Sequence, residues 1–279
     1  MIQFINNIIH GILSQLKNEK KSTFKLPFLY IKYLKHALNK EYHSYKIHGK
    51  HLVFFKNPQA FLHTIDEIFK EEIYKFKTEN KNPYIIDCGA YIGTSILYFK
   101  LNYPDSKIIA FEPDTNNYNL ILKNLSSWNF SDIILHNKAI WIDNDGINFN
   151  EIGGMAGRID KELSKENDKS KVVSQRLSDL LYKKVDFLKI DIEGAEYEVI
   201  KDCEGSLSNV EKIFIEYHGN YDEMYKLNEI LNILLNQKFC YYIKEAGVTY
   251  KWPFWEKKTI YDFDVQLNIF AFRKTSETN

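Results

Sequence analysis

The chain is poor in the residues that mark several common classes of protein. It has only three cysteines, Cys88, Cys203 and Cys240, and their spacing matches no metal-ligand motif. Two of them, Cys88 and Cys203, fall within apolar runs that predict core positions. We therefore expect small buried thiols in a reducing compartment, not a disulfide scaffold.

Long apolar runs and an N-terminal leader pattern are also missing. No stretch of about 18 apolar residues occurs, so we expect no membrane-spanning segment. The N-terminus has no basic region followed by an unbroken apolar core, which argues against a secretory signal. Hydrophobic residues make up 44% of the chain and charged residues 27%, a composition typical of globular proteins, and we expect a cytoplasmic location.

Net charge is absent from the whole chain but not from its first section. The 37 basic residues balance 37 acidic ones, and no N/D-P-P-Y/F tetrad occurs, so we expect no nucleic-acid partner. Residues 1–56 carry ten lysines and only two acids, Glu19 and Glu41. This excess suits an anionic acceptor or peripheral contact with a lipid surface, while a solvated helical face is the commoner use of such charge.

Residues 1–80 are predicted to form an N-terminal cap. Over residues 2–17, isoleucine and leucine recur at helical spacing and form one apolar stripe. This helix could dock on the core, pair with a second subunit as a homo-oligomer, or lie on a membrane. The cap's other predicted elements are a helix at 27–40, a hairpin of 42–47 and 51–55, and a helix from Asn57 to about residue 78.

Residues 81–279 show alternating strand and helix patterns, which predict an α/β fold with a mostly parallel seven-stranded sheet and helices on both faces. The predicted strands are 84–88, 107–112, 132–136 with 138–141, 185–191, 210–217, 239–244 and 266–273. The predicted helices are 94–102, 115–129, 195–203 and 221–237.

The alternation breaks between residues 142 and 182. This insertion contains a glycine-rich stretch, Ile152–Arg158, and a charged run, Lys161–Lys171. An insertion at the carboxyl edge of such a sheet is where a substrate lid would lie. A surface loop without function is the alternative.

One strand–turn–helix motif predicts a ligand site. Asp87, Gly89 and Gly93 form a D-x-G-x-x-x-G pattern after a buried strand. The following helix directs free backbone N–H groups toward a ligand. The pattern differs from the G-x-G-x-x-G of dinucleotide binders, so it suits an amino-acid-bearing ligand such as S-adenosylmethionine. A turn that merely needs two glycines is the structural alternative.

A second acidic position completes this predicted site. Glu112-Pro113-Asp114 ends the next strand, roughly 20 residues after the glycine turn, where a carboxylate commonly binds a ribose diol. A carboxylate suits this role because it accepts hydrogen bonds from both hydroxyls. Asp114 is the expected N-cap of the following helix.

A third motif gathers groups that suit catalysis. Lys189, Asp191 and Glu193 share one side at the end of a central strand, and Glu216 and His218 share a face of the next strand. Two mechanisms fit these residues. His218 or Asp191 could act as general base for a hydroxyl, which we favour, or Asp191, Glu216 and His218 could bind a divalent cation.

Four blocks of sequence together resemble the FkbM family of S-adenosylmethionine-dependent methyltransferases. They are Ile86–Ala90, Ala110–Pro113, Val185–Glu196 and Ile213–His218. The resemblance covers residues 80–218 and implies a class I methyltransferase (Rossmann-like) fold with S-adenosylmethionine as the cofactor. The implied cofactor-binding residues are Asp87, Gly89, Ala90, Tyr91, Gly93 and Ser95 at the methionine end, Glu112 and Pro113 at the ribose, Ala139 at the adenine, and Asp191.

These observations predict an O-methyltransferase acting on a small carbohydrate-type hydroxyl, with the basic N-terminal section favouring a phosphorylated or nucleotide-linked acceptor. Asp191, His218, Glu216, Lys189 and Glu193 are the predicted catalytic residues. The rival hypothesis is a non-catalytic scaffold that retains the fold, and a nicotinamide-dependent oxidoreductase is disfavoured by the glycine spacing.

Overall fold

The computed structural model describes residues 26–36, 42–150, 158–159, 170–247, 252, 254–255 and 263–274. The predicted helix over 2–17 lies outside these residues, as do most of the glycine-rich stretch and of the charged run.

The N-terminal section forms a helix, a hairpin and a second helix. Its elements are α1 (Phe28–His36), β1 (His43–Ile47), β2 (His51–Phe55) and α2 (Pro58–Ile65). The two strands pair antiparallel, which confirms the predicted hairpin. Asn57 caps α2, since its side chain accepts hydrogen bonds from the backbone N–H groups of Gln59 and Ala60.

The predicted continuation of this helix to about residue 78 is wrong. After α2 the chain makes a single π-helical segment, Asp66–Lys70, in which the N–H of Glu71 donates to the carbonyl of Asp66 at 2.9 Å. Glu72 then adopts a left-handed conformation, with φ at 53°, and ends the helix. The turn places the Tyr74 ring edge-on against Phe214, at 4.9 Å between centroids, so tertiary packing overrides helical propensity here.

The remaining chain alternates between strands and helices. The strands are β3 (Tyr84–Cys88), β4 (Lys107–Phe111), β5 (Ile133–His136), β6 (Ala139–Trp141), β7 (Ile147–Asn150), β8 (Arg158–Ile159), β9 (Ser170–Val172), β10 (Ser174–Arg176), β11 (Phe187–Ile190), β12 (Lys212–Gly219), β13 (Phe239–Glu245) and β14 (Val265–Arg273). The helices are α3 (Thr94–Asn102), α4 (Thr115–Trp128), α5 (Glu196–Cys203) and α6 (Met224–Asn236), with 3₁₀ turns at Ser178–Leu180, Glu204–Asn209 and Tyr221–Glu223.

Seven strands form the central sheet in the order β13-β14-β12-β11-β3-β4-β5. Strand β14 runs antiparallel to both of its neighbours, and the other pairs are parallel. The predicted α/β fold with a mostly parallel seven-stranded sheet is confirmed. The strand order reverses beside β3, which opens a crevice outside the carboxyl ends of β3 and β11, where such sheets bind ligands.

The insertion has its own small sheets. The predicted strand at 138–141 does not extend the third strand of the main sheet, because β6 pairs in parallel with β10 instead. Strand β7 pairs antiparallel with β8 and with β9. Residues 151–157 and 160–169 lie outside the described part of the chain, so the role of the insertion as a lid stays a prediction.

The two faces of the sheet pack against different layers. On one face, Ile85, Phe187 and Phe214 belong to a core cluster that also contains Val53 and Phe61 of the N-terminal section. On the other face, strand residues cluster with α5 and α6. The N-terminal section therefore shares its core with the sheet, and the predicted division near residue 80 stays a prediction about domain organisation.

A buried amide ties the hairpin to the first strand–turn–helix unit. Asn124, on α4, is fully buried. Its Oδ1 accepts from the N–H of Phe54 at 2.7 Å, and its Nδ2 donates to the carbonyls of Phe54 at 3.1 Å and Ile92 at 2.9 Å. These bonds satisfy the exposed edge of β2 and fix the turn that precedes α3.

We predict that Asn124→Ala lowers the free energy of unfolding by about 2–4 kcal/mol, because it leaves one buried and two half-buried backbone groups without this partner. Urea denaturation measures this change. Asn119→Ala is the matched control, since Asn119 is exposed on the same helix and should change stability by less than about 0.5 kcal/mol. Equal effects of the two substitutions would contradict the structural role of Asn124.

Candidate active site

A cleft that is partly open to solvent lies at the carboxyl edge of the sheet. Its walls come from the segments that follow β3, β4 and β11, from β12, and from α2 with its π-helical segment. The cleft therefore occupies the crevice that the reversed strand order predicts.

The two glycines of the first motif are required by the backbone. Gly89 has φ of 90°, and a Cβ added there would lie 1.9 Å from the carbonyl oxygen of Asp191. Gly93 has φ of 86° and begins α3, where a Cβ would lie 3.2 Å from Ile121. Gly89 lines the cleft, whereas Gly93 does not. Gly93 shapes the turn and packs against α4, and its contact with the cofactor stays a prediction.

Asp87 lies behind the cleft and not on its wall. Its side chain is fully buried, Ser95 donates a hydrogen bond to its Oδ2 at 2.5 Å, and the Lys189 ammonium lies 3.5 Å from its Oδ1. Burial raises the pKa of Asp87, and Lys189 and Ser95 oppose that rise. Asp87 contacts the wall residues Lys189 and Ser95, and its direct contact with the cofactor stays a prediction.

Glu112 joins the ends of β3 and β4. Its Oε2 accepts from the N–H of Tyr91 at 2.7 Å, and its Oε1 accepts from the N–H of Asp114 at 3.0 Å. Burial raises the pKa of Glu112 to about 8 despite these two bonds. Its side chain lines the cleft, as the prediction of a ribose contact requires.

The wall beside Glu112 combines apolar and amide groups. Ala139 and Ile140 line it, together with Pro113, Asn117 and Lys138. Asn137 does not line the cleft, but donates from Nδ2 to the carbonyl oxygens of Glu112 and Pro113 at 2.9 and 3.1 Å. The position fits an adenine next to the ribose contact, and these assignments stay predictions.

Lys189 connects the glycine turn with the third motif. Its ammonium donates to the carbonyl of Gly89 at 2.7 Å and to Asp191 Oδ2 at 3.0 Å, and its side chain is 2% exposed. Burial alone would lower the pKa of Lys189, but the carboxylates of Asp191 and Asp87 outweigh it and hold this pKa well above its usual value. Lys189 therefore positions the turn and Asp191.

His218 is held from both ring nitrogens by acidic residues. Its Nδ1 lies 3.2 Å from Glu196 Oε1, and its Nε2 lies 3.7 Å from both Glu193 Oε2 and Glu216 Oε1. Burial lowers the pKa of His218, but the bond to Glu196 and the charge of Glu193 outweigh it and raise this pKa well above its usual value. His218 lies behind Glu193 and Glu216, which line the cleft.

Glu196 is a site residue that the sequence analysis did not assign. Its carboxylate is fully buried and accepts from the N–H groups of Ile192 at 3.2 Å and Gly194 at 3.1 Å. It thus shapes the turn after β11 and orients His218 at the same time. Glu196 ends the K-x-D-x-E-G-x-E string of Lys189–Glu196, so the sequence shows the residue. It does not show that the partner of Glu196 is His218, which lies 22 residues further along the chain.

The carboxyl groups of the cleft influence one another. Burial raises the pKa of Glu193 to about 8, and the charge of Asp191 adds to this rise. Burial and Asp191 likewise raise the pKa of Glu216 to about 8. The carboxyl groups of the cleft thus disfavour one another's ionisation, and the nearby Lys189 is already paired with Asp87 and Asp191.

The N-terminal section supplies a wall that the sequence analysis missed. His63 and Glu67 line the cleft and pair at 3.3 Å between Nε2 and Oε2. Burial, followed by the charge of Asp191, raises the pKa of Glu67 to about 8. Thr64, Ile68 and Tyr74 line the same wall. In the sequence, His63 and Glu67 stand four residues apart, which is the spacing of neighbours on one helix face. The sequence does not show which strand edge these two side chains face.

The sheet order, with one antiparallel strand beside the β13 edge and a cleft at the switch point, defines a class I methyltransferase fold. The pattern described as the methyltransferase FkbM domain matches residues 87–242, which is more than half of the chain. The chain belongs to the FkbM methyltransferase family, and this membership implies S-adenosylmethionine as the methyl donor.

Two relatives of the chain are named methyltransferases. The chain is 28% identical over 176 residues to methyltransferase 1 of Beauveria bassiana, which covers 53% of this chain and 70% of that protein. It is 30% identical over 176 residues to methyltransferase sdnD of Sordaria araneosa, which covers 48% of this chain and 66% of that protein.

A solved structure of methyltransferase FkbM from Methylobacillus flagellatus aligns with 71% of this chain and 45% of its own, at 17% identity and a TM-score of 0.45. The chain thus spans less than half of that solved chain. None of the helices that the structure describes is long and apolar enough to cross a membrane.

We predict that Gly89→Ala lowers the free energy of unfolding by about 2–5 kcal/mol, because the new Cβ combines a left-handed backbone with overlap on the Asp191 carbonyl. Thermal and urea unfolding measure the loss. Gly205→Ala is the control, since a Cβ at Gly205 meets nothing within 4 Å. If both substitutions are tolerated equally, the close approach of the two strand ends is wrong.

We predict that the affinity for S-adenosylmethionine rises by up to about tenfold between pH 7 and pH 9. The pKa of Glu112 is raised to about 8, so its carboxylate becomes a full acceptor for ribose hydroxyls only as the pH passes that value. Calorimetric titration of wild type and Glu112→Gln gives a ratio of affinities in which the cofactor's own titration cancels. A ratio that does not change with pH would contradict the ribose contact.

Proposed function

We propose that this chain is an O-methyltransferase that transfers a methyl group from S-adenosylmethionine to a hydroxyl of a small, carbohydrate-type acceptor. The observation that carries the proposal is the position of Asp191. Its carboxylate lines the cleft, and its backbone carbonyl lies directly against Gly89, at the predicted methionine end of the cofactor.

The walls of the cleft suit the predicted parts of the cofactor. Gly89, Ala90 and Tyr91 form the turn before α3, Glu112 offers a carboxylate to the ribose, and Ala139 lies where the adenine is expected. When bound, the cofactor supplies an electrophilic methyl group on a positively charged sulfur. The acidic residues around Asp191 would stabilise that positive charge, and the turn at Gly89 would hold the methionine end of the cofactor beside Asp191.

A hydroxyl acceptor needs a group that takes its proton as the new oxygen–carbon bond forms. Lys189 pairs with one carboxylate oxygen of Asp191, at 3.0 Å. The second carboxylate oxygen of Asp191 remains for the acceptor. Glu216 and Glu193 stand beside it on the same wall and supply further hydrogen-bond partners for acceptor hydroxyls. A polyhydroxylated acceptor matches this many carboxyl groups.

The charge of the cleft favours a neutral acceptor over an anionic one. Six carboxyl groups line it, whereas its lysines are Lys138 and the paired Lys189. An added phosphate would be repelled by the charge of Asp191 and would further disfavour ionisation of the neighbouring carboxyl groups. The expectation of an anionic acceptor depended on lysines such as Lys20, Lys21 and Lys25, which lie outside the described residues, and it stays a prediction.

The test measures S-adenosylhomocysteine release with a panel of neutral monosaccharides and the matching sugar phosphates. We expect turnover with neutral sugars, and a decrease of about 10²–10⁴ in kcat for Asp191→Asn, which removes the proton acceptor. S-adenosylmethionine affinity of that variant should change by no more than a few-fold.

Asp222→Asn is the control for this substitution, because Asp222 is exposed and lies away from the cleft. Turnover that favours sugar phosphates would overturn the neutral acceptor. Absence of S-adenosylmethionine binding in every condition would sink the enzymatic proposal and leave the scaffold hypothesis in its place.

A further inference from the structure

The acidic wall of the cleft contains three ligand-type side chains that converge on one point. Ligand atoms of Asp191, Glu193 and His218 all lie within 4.8 Å of one another. They come from the turn after β11 and from the end of β12, two neighbouring parallel strands. Two different strand ends thus deliver oxygen and nitrogen donors to the same place.

His218 is oriented as a ligand. Its side chain is 3% exposed, and Glu196 occupies Nδ1 at 3.2 Å, which leaves Nε2 directed at Glu193 and Glu216. Both contacts of Nε2 are 3.7 Å long, which exceeds hydrogen-bonding distance. A buried carboxylate on one imidazole nitrogen, with the other nitrogen directed at a group of oxygens, is the arrangement that supports a metal-bound histidine.

The spacing also fits a shared ion. Bonds of about 2.0–2.3 Å to one cation separate neighbouring ligand atoms by about 3–4 Å, which includes the contacts around Nε2. Lys189 holds one oxygen of Asp191 and leaves the second for an ion. The turn that carries Asp191 and Glu193 is held by Glu196, which accepts from the backbone N–H groups of Ile192 and Gly194.

We propose that Asp191, Glu193 and His218 bind one divalent cation at the floor of the cleft, with Glu216 beside it. Two carboxylates and an imidazole favour a first-row transition ion such as Mn²⁺ over Ca²⁺, which prefers oxygen ligands alone. Three protein ligands leave coordination positions open toward the cleft. If the proposed O-methyltransferase function holds, an acceptor hydroxyl would occupy one of them and lose its proton more easily there, and Glu216 would take that proton in place of the metal-bound Asp191.

The test is titration of the metal-free full-length protein with Mn²⁺, followed by electron paramagnetic resonance and calorimetry, without any acceptor. We expect one saturable site, tighter for Mn²⁺ than for Ca²⁺, with nitrogen coupling in the pulsed spectrum. Glu193→Gln should weaken binding by at least about tenfold, and His218→Gln should remove the nitrogen coupling.

Glu229→Gln is the matched control, because it removes the same charge from an exposed surface pair with Lys201 and should leave Mn²⁺ affinity unchanged. S-adenosylmethionine binding is measured on the same samples, so that an unfolded variant or a failed cofactor site is recognised separately. No saturable Mn²⁺ site up to 1 mM would overturn the proposal and leave a proton on His218. Binding that survives both Glu193→Gln and His218→Gln, or that prefers Ca²⁺, would also overturn it.

Discussion

The buried ammonium of Lys189 is the interaction on which the site depends. It contacts the glycine turn through the carbonyl of Gly89, the hidden carboxylate of Asp87, and the cleft carboxylate of Asp191. One buried charge therefore holds together the end of β3, the glycine turn that follows it and the turn after β11. Removing a partner from such a buried pair typically costs about 3–5 kcal/mol, since the remaining charge has no water to solvate it.

This arrangement explains why the first and third motifs act as one unit. The absence of a side chain at Gly89 lets the turn lie against the backbone of Asp191, and Lys189 bridges the same two segments. Asp87 neutralises Lys189 from below without touching the cleft. The cofactor loop and the proposed proton acceptor are thus built from the same contacts, so a change in one is felt by the other.

The opposite side of the cleft follows a different constraint, which is the concentration of negative charge. Glu67, Glu193 and Glu216 each have a pKa raised to about 8, because burial and Asp191 disfavour further ionisation. His218, whose ring is held by Glu196, lies behind these carboxyl groups and faces their negative charge. A cationic cofactor, a bound proton or a metal ion would each reduce this concentration of negative charge.

The sequence by itself determined the sheet and the identity of most polar residues at its edge. Strand and helix periodicity predicted all seven strands of the central sheet, because buried parallel strands form short apolar runs that end in the residues of the site. The positions of Glu112, Asp191 and Glu216 at the cleft follow from the same rule, since parallel strands bring their carboxyl ends to one edge.

Only the tertiary structure decided which of these residues face the cleft and what stands opposite them. Asp87 and Gly93 do not line the cleft, because Asp87 packs against Lys189 and Gly93 packs against α4. His63 of α2 and Glu67 of the π-helical turn both line the cleft, and no local pattern showed that turn. Contacts between segments distant in the chain set these outcomes, and local propensity does not encode such contacts.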